Sequence, residues 1–339
     1  MSSTSFLAKN EQIEDVVLDQ TLRPKDFDEF VGQEKIKQSI GIQIQAAKER
    51  NESLEHILLH GPSGLGKTTL AHIIADQMGG SLKITSGAAL EKAGDIASII
   101  TNLADGDILF IDEVHRLNKM IEEVIYPAME NFKLDIVLGK GPSARTIQLN
   151  LPRFTIIAAT TRISLLSAPF RTRFGMNYRL DFYTPENIEK ILARSAKILN
   201  INTSPEAIKA IAACSRCTPR IANRLLKRVR DLGQVRKVNL IEPVIVKEAM
   251  DLLEVDEKGL ETTDRKILDI VIRKFNGGPV GLKSIAAAIP EEEATIEEVY
   301  EPYLIQIGFL ARTSKGRIAT RAAFQHLNEK YKEDQGALL

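Results

Sequence analysis

Residues 61–68 read Gly-Pro-Ser-Gly-Leu-Gly-Lys-Thr, and no other stretch limits the fold so tightly. The pattern G-x-x-x-x-G-K-[ST] is a phosphate loop. Gly61, Gly64 and Gly66 let the backbone curl until several N–H groups face one anion. The helix that follows adds its positive N-terminal end. Such a loop needs a strand before it and a helix after it, and the flanks supply both. His56-Ile57-Leu58-Leu59-His60 is an apolar run of strand length, and Thr69-Leu70-Ala71-His72-Ile73-Ile74-Ala75 has helical character. Lys67 is placed to bridge the outer phosphates of a nucleotide and Thr68 to ligate Mg²⁺. The pattern predicts nucleotide binding in a parallel α/β domain but does not name the task.

A second apolar run, Asp107-Ile108-Leu109-Phe110-Ile111-Asp112-Glu113, ends in two acids, as a buried parallel strand does when it delivers carboxylates to a site. Asp112 is the candidate for the Mg²⁺ shell, and Glu113 for the base that polarises water against the γ-phosphate. A solvated acidic turn is the bland alternative. A third run, Phe154–Arg162, ends in Thr160-Thr161, either of which can stand beside the attacking water. Then comes Ala168-Pro169-Phe170-Arg171-Thr172-Arg173-Phe174-Gly175. Its two arginines suit a guanidinium finger reaching a phosphate held by a neighbouring subunit. Alone, this segment reads as a basic surface turn.

The chain has 339 residues, enough for two or three domains, and 44% are apolar. Lys+Arg and Asp+Glu are equal at 45 each, which excludes a uniformly basic nucleic-acid coat but not a local patch. No run has membrane-span length and the start lacks a secretory layout, so a cytoplasmic protein without a membrane partner is expected. Cys214 and Cys217 are spaced C-x-x-C, yet no second Cys/His pair accompanies them to complete a zinc site. They read as two reduced thiols.

In order and spacing, these motifs resemble the AAA+ ATPases. Within them the resemblance is to the RuvB family of bacterial Holliday-junction branch-migration motors, from about residue 20 to about residue 325. It is carried by Leu22-Arg23-Pro24, Phe30-Val31-Gly32-Gln33, the phosphate loop, Thr85-Ser86-Gly87, Leu90–Asp95 and Leu109–Leu117. Further on it is carried by Tyr126–Glu130, Thr218–Leu226 and Phe275–Leu282. The resemblance implies that Leu22 and Arg23 pack around the adenine, with Tyr183 closing the base pocket. It implies that Gly64, Lys67, Thr68 and Thr69 hold the phosphates of ATP and that Glu130, Asn131 and Phe132 lie near the nucleotide. Arg173, rather than Arg171, resembles the finger, Arg220 resembles the second sensor, and Thr161 is placed to feel loss of the γ-phosphate. Pro62-Ser63 stands where relatives often have two prolines, and Asn131 sits within the acidic patch; neither change removes a ligand.

The organisation follows. Residues 1–20 are expected to be a flexible segment, 21–183 the large ATPase domain (a parallel sheet between helices), 184–255 a small all-helical lid, 256–333 a winged-helix domain and 334–339 a tail. Leu134–Leu149 alternates around Gly-Lys-Gly-Pro and predicts a hairpin inserted near 134–150. By resemblance that hairpin grips a RuvA partner through Ile147 and Leu149. Thr184-Pro185-Glu186 is a helix start. Arg220, Arg224, Lys227 and Arg228 share a helix face, solvated by default except for Arg220. Helices are expected over 263–275, 282–288 and 294–305, then a strand–turn–strand over 309–320. Arg312, Lys315 and Arg317 at the wing tip favour DNA phosphate, with Arg312 and Arg317 as the contacts.

The first functional expectation is an ATP-driven translocase on double-stranded DNA, a homohexameric ring acting at Holliday junctions with RuvA, and with the RuvC resolvase in the larger complex. A clamp loader or similar remodeller shares the ATPase core but lacks a basic wing. A nucleotide-gated DNA-binding regulator needs neither Glu113 nor a finger.

Overall fold

The computed structural model describes residues 20–138 and 145–331. The expected flexible segment (bar residue 20), the tip of the inserted hairpin at 139–144 and the tail lie outside these residues. Two compact units divide the chain: Arg23–Phe182, and Leu22 with the residues from Tyr183 onward.

In the first unit, α1 (Glu34–Arg50) precedes β1 (Ile57–His60), the phosphate loop and α2 (Lys67–Met78). Then follow β2 (Leu82–Ser86), α3 (Ala93–Thr101), β3 (Ile108–Asp112) and α4 (Lys119–Asn131). The hairpin β4 (Lys133–Leu138) and β5 (Arg145–Asn150) precedes β6 (Thr155–Thr160), α5 (Ala168–Arg171) and β7 (Met176–Arg179). The sheet order is β2-β3-β6-β1-β7, and every pairing in it is parallel. Helical crossovers require this, because parallel neighbours cannot be joined by a tight turn. Ile57, Leu58, Leu59, Leu109, Phe110, Ile111 and Ile156 are all fully buried. Each contributes about 1.5–3 kcal/mol relative to exposure. That burial explains why the central strands read as unbroken apolar runs. The parallel direction brings the carboxyl ends of β1, β3 and β6 to one edge of the sheet, where Gly61 N–H meets the Thr160 carbonyl at 3.2 Å.

The second unit carries α6 (Pro185–Ile198), α7 (Pro205–Cys214), α8 (Pro219–Val235) and α9 (Pro243–Leu252). Proline stands in the first turn of each, where its missing N–H costs nothing. Next come α10 (Thr262–Asp269), α11 (Leu282–Ala288), α12 (Glu293–Thr295), α13 (Glu301–Gln306), the wing strands β8 (Leu310–Thr313) and β9 (Gly316–Ala319), and α14 (Arg321–His326). The third winged-helix helix, expected as one rod, instead passes through a wide π turn at Ile296–Tyr300 between α12 and α13. Pro302 stands at the start of α13 and has no N–H to continue the ladder. Tyr300, Leu304, Ile267, Leu268 and Val271 centre this core. Gly278 and Gly316 are fixed by close approach: a Cβ would lie 2.4 Å from the Arg317 carbonyl oxygen and 2.5 Å from that of Val280. No described helix is long and apolar enough to cross a membrane.

Candidate functional site

The phosphate loop is built as its glycines demand. Gly61, Gly64 and Gly66 have φ of 138°, 77° and 101°, the region closed to most side chains. A Cβ on Gly61 would fall 2.3 Å from the Leu180 carbonyl oxygen. Leu65 is fully buried and anchors the loop. Lys67 is 7% exposed, and its Nζ donates to the carbonyls of Gly61 and Pro62, each at 2.8 Å. The ammonium is thus held across the mouth of the loop. Thr68 and Thr69 lie in the first turn of α2, where free N–H groups and the helix dipole favour an anion.

Asp112 ends β3, and one of its carboxylate oxygens accepts the Glu113 N–H at 2.9 Å. Glu113 adopts a left-handed φ of 47°. Its carboxylate accepts from the Thr161 hydroxyl at 3.3 Å and lies 3.1 Å from His115 Nδ1. Burial lowers the His115 pKa, while the neighbouring Glu113 carboxylate pulls it the other way. The same Nδ1 lies 2.9 Å from the Thr160 hydroxyl. Of the two candidate threonines, Thr160 is fully buried and supports His115, whereas Thr161 faces Glu113. His115 escaped the reading of roles because a histidine two residues past an acid has no sequence signature. Gly87 escaped it too: a Cβ there would sit 2.5 Å from the Glu113 carbonyl oxygen, and only a glycine lets β2 pass so close. Thr68 and Asp112 offer hard oxygen donors of the kind Mg²⁺ takes.

Arg173, Glu130 and Phe132 lie elsewhere. An Arg173 Nη2 pairs with Glu130 at 3.1 Å, and the guanidinium sits 4.1 Å from the centroid of the Tyr126 ring. Arg173 Nη1 donates to the Pro169 carbonyl, and its Nε is buried without a partner among the described residues. Tyr126 in turn donates to Glu122 at 2.7 Å. This cluster is tied to the amino end of β1. Met176 pairs with Ile57, and His56 Nε2 lies 3.1 Å from the Met129 carbonyl oxygen. Phe132 packs edge-on against Phe154, with ring centroids 5.8 Å apart. The phosphate loop leaves the other end of the same strand, roughly 13 Å away at strand rise. Glu130 and Phe132 thus sit toward the amino edge of the sheet, because parallel strands send their two ends to opposite edges. Arg23, at the start of this unit, hydrogen-bonds His72 on α2.

In the second unit, Leu22 is buried and its carbonyl accepts from Arg194 at 2.8 Å. Tyr183 is 5% exposed, and its N–H donates to the Cys217 carbonyl. Arg220 lies in the first turn of α8, half-buried. Lys227, read as part of a solvated face, is buried at 8% exposure; α8 is enclosed by α6, α7 and α9. Arg216 and Cys217 both take left-handed φ before α8. Arg216 is buried and pairs with the fully buried Asp264 at 3.0 Å, joining the lid helices to α10. Cys214 and Cys217 are free thiols; burial pushes Cys214 up to about 11 and raises Cys217, so neither is a thiolate at neutral pH.

On the wing, Arg312 and Arg317 face each other across β8 and β9. Both bind Glu301, which is only 2% exposed. Arg312 is half-exposed and Arg317 mostly covered at 16%. Hydrogen bonding to Glu301 raises the Arg312 pKa further. On the hairpin, Ile147 and Leu149 remain 45% and 37% exposed.

The sequence matches three family models end to end. Residues 22–180 match the Holliday junction DNA helicase RuvB P-loop domain, 183–256 the RuvB AAA lid domain and 257–328 the RuvB C-terminal winged helix domain. The chain belongs to the RuvB family. A RuvB-family relative from Dehalococcoides mccartyi, named Holliday junction branch migration complex subunit RuvB, is 56% identical over 322 residues, 95% of this chain and 92% of that protein. One of the same name from Chloroflexus aurantiacus is 53% identical, over 98% of this chain and 95% of that protein. The solved Thermotoga maritima RuvB Holliday junction branch migration motor superposes with a TM-score of 0.85 at 48% identity, over 92% of this chain and all of that one. The RuvB P-loop domain makes this chain an AAA+ nucleotide-binding protein of the ATPase type.

Proposed function

We propose that the chain is an ATP-driven motor that moves double-stranded DNA through a ring of its own copies and so drives branch migration at Holliday junctions. The relatives named as branch migration complex subunits support this reading. The observation that carries its mechanism is the separation of chemical groups along β1. Lys67, Asp112, Glu113 and Thr161 gather at the carboxyl edge of the sheet, whereas Arg173 and Glu130 gather at the amino edge. A finger at the wrong edge for its own phosphate loop serves the loop of the next protomer, so the catalytic centre is completed only between copies. A closed homohexamer meets that requirement.

In this reading Gly61, Gly64, Gly66, Lys67, Thr68 and Thr69 hold the phosphates of ATP through backbone N–H groups, an ammonium and hydroxyls. Thr68 and Asp112 would hold Mg²⁺, which when bound neutralises charge on the phosphates. Glu113, oriented by Thr161 and His115, polarises the attacking water. The partner's Arg173 steadies the transition state, with Glu130, Asn131 and Phe132 lining that face. By family pattern Leu22, Arg23 and Tyr183 take the adenine and Arg220 senses the nucleotide. The winged helix meets DNA phosphates through Arg312 and Arg317, a sequence-tolerant grip suited to a motor. The exposed Ile147 and Leu149 dock RuvA, with the RuvC resolvase joining the larger assembly in the cytoplasm.

The test is ATP hydrolysis with and without duplex DNA, together with strand displacement at a synthetic four-way junction in the presence of RuvA. Stimulated turnover and displacement are expected. Turnover that ignores DNA, with no displacement, would reject the motor.

A further inference from the structure

One buried carboxylate binds both arginines of the wing. Glu301, at the start of α13, accepts from Arg312 Nε at 3.2 Å and Nη2 at 3.0 Å. It also accepts from Arg317 Nε at 3.1 Å and Nη2 at 3.2 Å. Both forks close on one carboxylate, so its lone pairs are fully engaged. The secondary contacts are weaker: Glu297 lies 3.4 Å from Arg312 Nη2 and 4.0 Å from that of Arg317. Each guanidinium spends its Nε–Nη2 edge inward. Among the described residues neither Nη1 donates to a protein acceptor, which leaves one edge of each for an outside oxyanion. Arg312 and Arg317 are cross-strand partners, and two cations this close repel unless a shared anion sits between them.

We propose that Glu301 is the positioning residue of the DNA-binding wing, holding Arg312 and Arg317 as one preformed clamp whose outer edges meet the phosphate backbone. This rests on the reading of the wing as the phosphate contact. Arginine side chains free in solvent lose rotamer entropy when they bind, at about 0.5–1.5 kcal/mol for each one immobilised. The carboxylate fixes both before DNA arrives.

The sign of the effect separates this role from simple charge. Glu301 is an anion beside a polyanion, so by electrostatics alone its removal tightens DNA binding and steepens the salt dependence. Positioning requires the opposite. The test is fluorescence anisotropy of a labelled duplex with the full chain at several salt concentrations. It compares wild type, Glu301→Gln, the double variant Arg312→Ala/Arg317→Ala, and the triple variant combining them. Glu301→Gln is expected to weaken binding about tenfold without a steeper salt slope. In the triple variant Glu301→Gln should add no further loss, because its effect passes through the two arginines. Unchanged or tighter binding by Glu301→Gln would overturn the proposal. So would an equal loss in the triple variant, which would mark a merely structural role. If the double variant binds DNA as wild type does, the wing reading itself fails and the inference falls with it.

Discussion

The Thr161 hydroxyl donates to the Glu113 carboxylate at 3.3 Å, across the gap between the ends of β6 and β3. His115 Nδ1 lies 3.1 Å from the same carboxylate, so two neighbours constrain the direction of the acid proposed to polarise the attacking water. Glu113→Gln keeps the shape and removes the basicity. It is expected to bind ATP normally and to lower hydrolysis by roughly 10²–10⁴-fold. Nucleotide affinity and phosphate release, measured on the same preparation, check this. Turnover near wild type would remove Glu113 as the base.

The opposed edges of the sheet lead to a mixing experiment. Lys67→Ala is expected to abolish phosphate holding, and Arg173→Ala to remove the proposed finger, a kind of group worth roughly 10³–10⁵ in rate. Each variant alone is expected to be inactive. Mixed before assembly, they create interfaces with the intact loop of one protomer and the intact finger of another. Partial recovery of DNA-stimulated hydrolysis is expected. No recovery in rings verified as mixed by native mass spectrometry would count against action between protomers.

How far the sequence carried the site depends on the range of each interaction. The phosphate loop was legible because its glycines, lysine and threonine act within eight consecutive residues bounded by strand and helix signals. The strand ends Asp112 and Thr161 were legible because buried parallel strands deliver polar groups at one end. The destination of Arg173 was not, because the edge it occupies is set by the pairing of β7 with β1. The demand on Gly87 comes from β3, and the role of Glu301 arises from strands 11 and 16 residues further on. Lys227 misled for a similar reason: helix periodicity shows which residues share a face but not what covers it.

The Arg216–Asp264 pair makes a stability prediction. Burial raises the Asp264 pKa despite Arg216, and Asp264 Oδ1 has no hydrogen-bond partner among the described residues. Arg216→Ala leaves a buried carboxylate uncompensated and is expected to destabilise the second unit by about 3–5 kcal/mol. With its folded pKa raised, Asp264 costs stability progressively as pH climbs above its unfolded value of 3.8. The penalty of Arg216→Ala should therefore be smaller at acidic than at alkaline pH. Thermal unfolding at both extremes checks this, and an equal penalty would show that Asp264 does not bear the uncompensated charge.

His56 ties pH to the stability of the ATPase core. Its Nδ1 accepts the Ile156 N–H at 2.9 Å, so the ring proton lies on Nε2, which donates to the Met129 carbonyl at 3.1 Å. The neutral ring satisfies both partners; a second proton on Nδ1 would face another donor. Burial accordingly lowers the His56 pKa below its ordinary 6.5. The unfolded chain then takes up a proton near that value, and the folded chain does so only at lower pH. Stability from this group is fully present above 6.5 and declines as pH falls toward the folded value, by at most about 1.4 kcal/mol per pH unit. His60, His72 and His115 are shifted in the same direction and add to the slope. Urea unfolding at neutral and mildly acidic pH should show wild type losing stability on acidification, and His56→Gln losing less while starting lower. An identical pH slope in the variant would exclude His56 as a source of the acid sensitivity.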